Sequence, residues 1–184
     1  MNTSSKTLLT ILVAALAGKS LAGNKVAPAF TAKASDGKTY TLESLTAGKP
    51  TLLMFFSAGC EHNPGGIKDL NRLKALFGGK VRVAGMTNLD PRQTKELATK
   101  YHAKFPILSD QMAATIGAFG GKAGLDNALI LPNGEIAHVW MGYDRTTIKQ
   151  VEILLDRSHG PHLNLDLSTF PKTREAGCAI GMNM

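Results

Sequence analysis

A chain of 184 residues with 43% hydrophobic and 19% charged side chains is long enough to bury a full core and too apolar to be disordered. Its formal net charge of +7 comes from lysines and arginines that are scattered rather than clustered in a stripe, which argues against nucleic-acid binding. Two cysteines are too few for a disulfide-built scaffold, so each must be judged by its local chemistry.

From the N-terminus, Lys6 precedes an apolar run from Thr7 to Ala17, and Ser20-Leu21-Ala22 puts small residues where a signal peptidase reads. The run is about a dozen residues long, against the roughly 20 that span a bilayer. Residues 1–22 are therefore expected to be a cleavable secretory signal, giving an extracytoplasmic protein, periplasmic or secreted. The alternative is an uncleaved anchor that holds the protein outside the cytoplasm. Loss of Lys6 and Lys19 lowers the net charge from +7 to +5. Residues 23–158 then form one domain, and 159–184 a mostly irregular tail that carries Cys178.

Within the domain, Asp36-Gly37 between the β-prone runs 32–34 and 39–42 predicts a hairpin. Gly48-Lys49-Pro50 launches Thr51 to Phe56, an almost continuously apolar run that fits a strand covered on both faces. Ile67, Leu70, Leu73, Leu76 and Phe77 recur at spacings of three and four, so 64–77 is expected to be a helix ended by Gly78-Gly79. A second buried strand follows over 81–86. Asp90 as N-cap and Pro91 at the first position start a helix that runs to about Tyr101. Residues 105–108 read as extended and 112–116 as a short helix. Strands over 128–131 and 135–140 flank the turn Pro132-Asn133-Gly134, and Ile148, Val151, Leu154 and Leu155 mark a last amphipathic helix over 147–157. Strand–helix–strand units followed by a hairpin and a helix give an α/β fold, a mixed sheet with helices on both faces.

The stretch "FFSAGCEHNPGG" (55–66) sets Cys60 where the first buried strand hands over to its helix. A thiol there meets unpaired N–H groups and the positive end of the helix dipole, which favour thiolate, the form that attacks disulfides and peroxides. A protonated His62 would lower the thiol pKa further, whereas Glu61 would raise it. The junction is expected to be exposed, which favours a nucleophile over a buried structural cysteine. Ser57 is a candidate hydrogen-bond donor to a thiolate or a peroxide oxygen, or else a residue that satisfies local backbone. His62 and Asn63 are each a candidate donor near the sulfur, or else a solvated or capping residue. Pro64 pre-sets the helix start.

Four segments, "APAFTAKASDGKTYTLESL" (27–45), "GKPTLLMFFSAGC" (48–60), "FPILSD" (105–110) and "LILPNGEIAHVWMG" (129–142), carry a resemblance to a known family. In this order they resemble the redoxin group of the thioredoxin-like superfamily, meaning the alkyl hydroperoxide reductase/thiol-specific antioxidant (AhpC/TSA) family and its exported TlpA-like relatives. The resemblance implies a thioredoxin-like fold with an N-terminal β-hairpin extension and an irregular C-terminal tail. It also implies a thiol-dependent oxidoreductase or antioxidant, acting on a hydroperoxide or disulfide and served by an external thiol reductant. Three departures stand out. Asn63 occupies the second cysteine position of C-x-x-C, Leu125 falls where thioredoxin-like members carry a cis-proline, and Leu53 falls where peroxidases of the group carry proline. Ser57 stands three before Cys60, in place of the peroxidase threonine, and no arginine can be assigned to polarise a peroxide. The first departure argues against a dithiol mechanism and the third against ordinary peroxidase geometry.

By the same resemblance, Cys178 is a candidate resolving thiol that attacks a sulfenic acid on Cys60 to form a disulfide. An intermolecular bridge, a static disulfide, or a lipid or metal contact are the alternatives. The rival function is a non-catalytic thioredoxin-fold binding module, with a Sco-like copper role drawing on Cys60, His62, Cys178, His159, His162, Met182 and Met184. No glycine-rich phosphate loop follows a strand, so no organic cofactor is implied. His102 and His138 read as a helix-end and a strand residue, and Phe30 and Trp140 as core.

Overall fold

A computed structural model describes residues 25–181. The expected signal at 1–22, with Met182 and Met184, lies outside the described residues. Among the described residues, seven strands and five helices follow one another. They are β1 Thr31–Lys33, β2 Thr39–Thr41, α1 Leu42–Thr46, β3 Thr51–Phe56, α2 Asn63–Phe77, β4 Arg82–Thr87, α3 Pro91–Lys100, β5 Ile107–Ser109, α4 Ala114–Phe119, β6 Asn127–Ile130, β7 Ile136–Trp140 and α5 Arg145–Arg157. The main sheet has the order β5-β4-β3-β6-β7. β3 runs parallel to β4, from Thr51 opposite Arg82 to Phe56 opposite Thr87, and antiparallel to β6. This is the mixed sheet the sequence predicts.

The alternation of β3 explains its unbroken apolar run. Leu52, Met54 and Phe56 pack with α2, α5 and Ala98 of α3, while Leu53 and Phe55 pack on the other face with α4, α1 and the hairpin. Side chains of period two therefore serve two cores, and every position of the strand is buried. Full burial of each large side chain stabilises by about 1.5–3 kcal/mol, so the centre of the sheet is rigid where it delivers Ser57 and Cys60.

Several expected boundaries move. Helix α1 is additional: Thr41 caps it, accepting from Ser44 N, while the Ser44 hydroxyl accepts from Thr41 N. At five residues it is too short to show a period. The short helix expected over 112–116 lies instead at 114–119, because Ala113 takes a left-handed conformation (φ +53°) and Asp110 Oδ2 accepts from Ile116 N. Met112 is left exposed. Asp90 caps α3 with Pro91 at its first position, as the sequence predicts, and Asp144 accepts from Thr147 N to cap α5. Trp140 is core and donates from Nε1 to Gln150 Oε1, whereas Phe30 is half-buried against Phe119. His102 follows Tyr101, the C-cap of α3, at φ +54°, and His138 lies exposed on β7 against the Trp140 ring.

Beyond α5 the described residues form no further helix or strand. Leu163 and Phe170 bury into the α2–α5 core, and Glu152 Oε1 accepts from Leu165 N. The following segment, 171–181, crosses the sheet end where β3 and β4 terminate. Carboxyl ends of parallel strands are where α/β sheets present their sites.

Candidate active site

Cys60 follows β3 by four residues and precedes α2 by three. Its N–H donates to Ser57 O (3.2 Å), and its carbonyl accepts from Asn63 N (3.2 Å), so the turn presents the sulfur beside the helix start. Pro64 is the second residue of α2. The Cys60 sulfur is bonded to that of Cys178, 118 residues away, with the two Cα atoms 5.6 Å apart. Cys178 N donates to Cys60 Sγ at 3.0 Å. The two cysteines named from the sequence therefore meet.

Cys60 is not exposed. It is 6% accessible, which corrects the expectation of an open junction; Cys178 is the exposed partner. The cause is the tail. Gly177 N donates to Gly124 O (2.8 Å), Gly124 N to Cys178 O (2.8 Å) and Ile180 N to Lys122 O (2.9 Å), with Ala123 opposite Ala179. One step earlier, Tyr143 and Glu175 exchange two backbone hydrogen bonds of 2.9 and 2.8 Å. The approach requires glycine, since a β-carbon on Gly177 would lie 2.6 Å from the Gly124 carbonyl oxygen.

In the bonded state Ser57, Asn63 and His62 make the following contacts. Ser57 is buried, and its hydroxyl donates to Ala179 O (3.0 Å) rather than to sulfur. Asn63 Nδ2 donates to Ser57 O (2.8 Å), so its amide braces the Cys60 turn, and Asn63 Oδ1 is buried without a hydrogen-bond partner. His62 stands at the N-cap of α2 but makes no side-chain cap bond; its Nε2 lies 3.9 Å from Glu61 Oε1. The donor given to the sulfur in this bonded state is the backbone of its own partner. Leu125, at the position matched to the cis-proline, is buried with φ +68°, and no cis peptide occurs among the described residues. Its N–H donates to Phe55 O (2.7 Å), and its side chain fits against Gly66 of α2, where a β-carbon would clash.

Three residues that hold the site have no signal in the sequence. Asn88, at the end of β4, accepts from Ala58 N (2.8 Å) and donates to Gly181 O (3.2 Å), joining the Cys60 turn to the tail. Asn127 donates to Gly142 O (3.0 Å). Asp126 is buried and accepts from three backbone N–H groups, of Lys122, Ala123 and Gly142. Polar residues beside a strand are ordinary in any loop, and only folding brings their donors together.

Two cavities flank the cysteine. One of about 350 Å³ is lined by Cys60 itself with Asn63, Leu89, Gln93, Leu97 and Tyr101. The other, about 540 Å³, is lined by Glu61, His62, Asp69, Arg72, Leu125 and Tyr143 among others. Tyr143 donates to Asp69 Oδ2 (2.8 Å), and Arg72 pairs with Asp69 Oδ1 (2.9 Å) while stacking over Phe170. Burial, and then the Asp69 carboxylate, hold the Tyr143 phenol well above its ordinary range, so it stays a proton donor. Among the described residues, no group of three or more His, Cys, Asp and Glu gathers as a metal cluster would. His159 is exposed at φ +56°, and His162 Nδ1 sits 3.1 Å from Asp156 Oδ1, so neither histidine joins a metal-ligating group among the described residues.

The AhpC/TSA family model matches residues 24–139. The chloroplastic peroxiredoxin Q of Populus jackii is 34% identical over 88 residues, which is 46% of this chain and 40% of that protein. The chain thus spans about two fifths of the length of the curated relatives it matches. Among solved structures, a hypothetical protein from Sinorhizobium meliloti superposes with a TM-score of 0.65 at 17% identity, over 88% of this chain and 95% of that one. The peroxidoxin BcpB of Mycobacterium tuberculosis gives 0.57 at 19% identity, over 64% and 83%. These likenesses show the fold, with its thioredoxin-like mixed sheet.

Proposed function

The chain belongs to the AhpC/TSA family, and from that premise we propose that it is an exported thiol-dependent peroxidase in which Cys60 attacks a hydroperoxide and Cys178 resolves the product. The observation that carries this reading is the Cys60–Cys178 bond itself, made across 118 residues by a tail seated for the purpose. Asn63 denies the chain a second thiol in its first loop, so the resolving sulfur has to come from elsewhere.

The steps balance as follows. The Cys60 thiolate attacks the distal peroxide oxygen, the O–O bond breaks, and the alkoxide takes a proton to leave as alcohol or water. Cys60 is then a sulfenic acid. The Cys178 thiolate attacks that sulfur and expels hydroxide, which leaves as water after protonation. A thiolate of the external reductant next attacks the disulfide, and a second thiol releases it as the oxidised donor. Since Cys60 is buried and Cys178 exposed, attack falls on the Cys178 sulfur and Cys60 departs as thiolate. The cavity that Cys60 lines, between α2 and α3, is the route by which a small oxidant reaches it. Similarity to peroxiredoxin Q favours hydroperoxide over disulfide as the substrate. Export rests on the charged and apolar pattern of residues 1–22.

One equivalent of hydrogen peroxide added to reduced protein, followed by mass mapping, tests the chemistry. The expected product is the Cys60–Cys178 disulfide, with Cys178→Ser stopping at sulfenic acid and Cys60→Ser consuming no peroxide. Unchanged consumption by Cys60→Ser, or oxygenated Cys60 beside a free Cys178 thiol in the unsubstituted protein, would refute the scheme. Sequencing the N-terminus of the exported protein tests the signal, with Gly23 expected as the first residue.

A further inference from the structure

We propose that Asp126 is a positioning residue of the Cys60–Cys178 couple: one buried carboxylate fixes both backbone edges onto which the tail is sewn. The proposal rests on the reading of these two cysteines as a redox pair, and it assigns a role to a residue that touches neither sulfur.

Asp126 is 2% accessible. Its Oδ2 accepts from Lys122 N and Ala123 N, both at 2.9 Å, and its Oδ1 accepts from Gly142 N at 2.9 Å. Those two groups of donors belong to separate loops, one before β6 and one after β7. Each loop carries the acceptors and donors used by the tail. Lys122 O and both polar groups of Gly124 bind Ile180, Gly177 and Cys178, while Tyr143, adjacent to Gly142, pairs with Glu175. The Asp126 backbone adds a third tie, its carbonyl accepting from Phe55 N (2.8 Å) on the strand that leads to Cys60. One residue thereby links the Cys60 strand, the Cys178 edge and the Glu175 edge.

A carboxylate suits this position better than an amide of the same shape. Three N–H donors converge on its two oxygens, and charge-assisted bonds are about twice as strong as neutral ones. Asparagine offers one oxygen, and its NH₂ would face at least one N–H. The tail depends on such preparation, because no residue of 171–181 is fully buried. Its docking is governed by how well the edges are held before it arrives, which sets the effective concentration of Cys178 at Cys60.

The full chain carrying Asp126→Asn tests this by equilibration of the Cys60–Cys178 disulfide with glutathione buffers. We expect the equilibrium constant for disulfide formation to fall about tenfold, a rise of about 30 mV in reduction potential. Cys60 should also over-oxidise more readily under excess peroxide. In a Cys178→Ser background the same substitution should leave the rate of Cys60 attack on peroxide within about twofold. An unchanged equilibrium constant, or an equal loss in Cys60 reactivity, overturns the role. Should Asp126→Asn fail to fold, amide exchange of the unsubstituted protein decides. The Lys122, Ala123 and Gly142 amides are expected to stay protected after reduction, while those of Gly177 and Ile180 lose protection. Loss of protection at all five would show that no prepared edge exists. A chain inert to peroxide that still shifts its glutathione equilibrium on Asp126→Asn would refute the peroxidase reading and leave this one standing.

Discussion

The β1–β2 hairpin and the tail beyond α5 both extend the strand–helix core, yet different forces hold them. The hairpin side buries Ala32, Ala34, Leu42 and Leu45 against the α4 face, sets Phe30 on Phe119, and closes with a reciprocal cap at Thr41 and Ser44. The tail buries Leu163 and Phe170, and beyond them no side chain is fully buried; the last eleven described residues hold on by backbone hydrogen bonds, Ser57, Asn88, the partly buried Ile180 and one covalent bond. Hydrophobic packing does not respond to redox state, whereas a sulfur bridge does. One extension is permanent, and the other is conditional.

Reduction should sharpen this contrast most. Opening a bridge that closes a loop of more than 100 residues is expected to lower stability by about 4–5 kcal/mol in the chain-entropy view. Denaturant titration of oxidised and reduced protein measures it. Amide exchange should accelerate over 175–180 and stay unchanged at β1 and β2; equal acceleration in both regions would erase the distinction. Next in size, Phe170→Ala removes the tail's last buried anchor and the ring beneath Arg72, at about 3–4 kcal/mol. It should also slow disulfide formation, read by quenched alkylation, which Leu45→Ala on the hairpin side should not. Thr41→Ala takes one partner from the α1 cap and should cost about 1 kcal/mol without altering the glutathione equilibrium.

The smallest effect is expected at Tyr143→Phe, about 1 kcal/mol near neutral pH for one buried hydrogen bond. Its pH dependence is more telling. The folded phenol titrates above the unfolded one, so the folded chain binds the extra proton. The stability it contributes is complete below the unfolded pKa near 10 and is lost as pH rises beyond that value. The substituted chain should lack this alkaline decline between pH 9 and 11, as thermal melts would show.

Much of the architecture is legible in the chain. Apolar runs mark β3, β4 and β6, and spacings of three and four mark α2 and α5, because burial on two faces or on one stripe leaves those periods. Cys60 is legible as a junction thiol. Helix α1 is not, since five residues cannot display a period. Nor is the burial of Cys60, the turning of Ser57 toward Ala179, or the convergence of three amides on Asp126. Each depends on a segment more than 30 residues distant, or on loops that meet only in space.

Local periodicity by itself determined the long buried strands and the longer helices, and the placing of one thiol between the first buried strand and its helix. Tertiary structure alone decided that the second thiol reaches it, and that a carboxylate between two loops has three donors to accept. Side-chain period is written into consecutive residues. The meeting of tail and loop is a matter of backbone edges, whose hydrogen bonds carry no residue code.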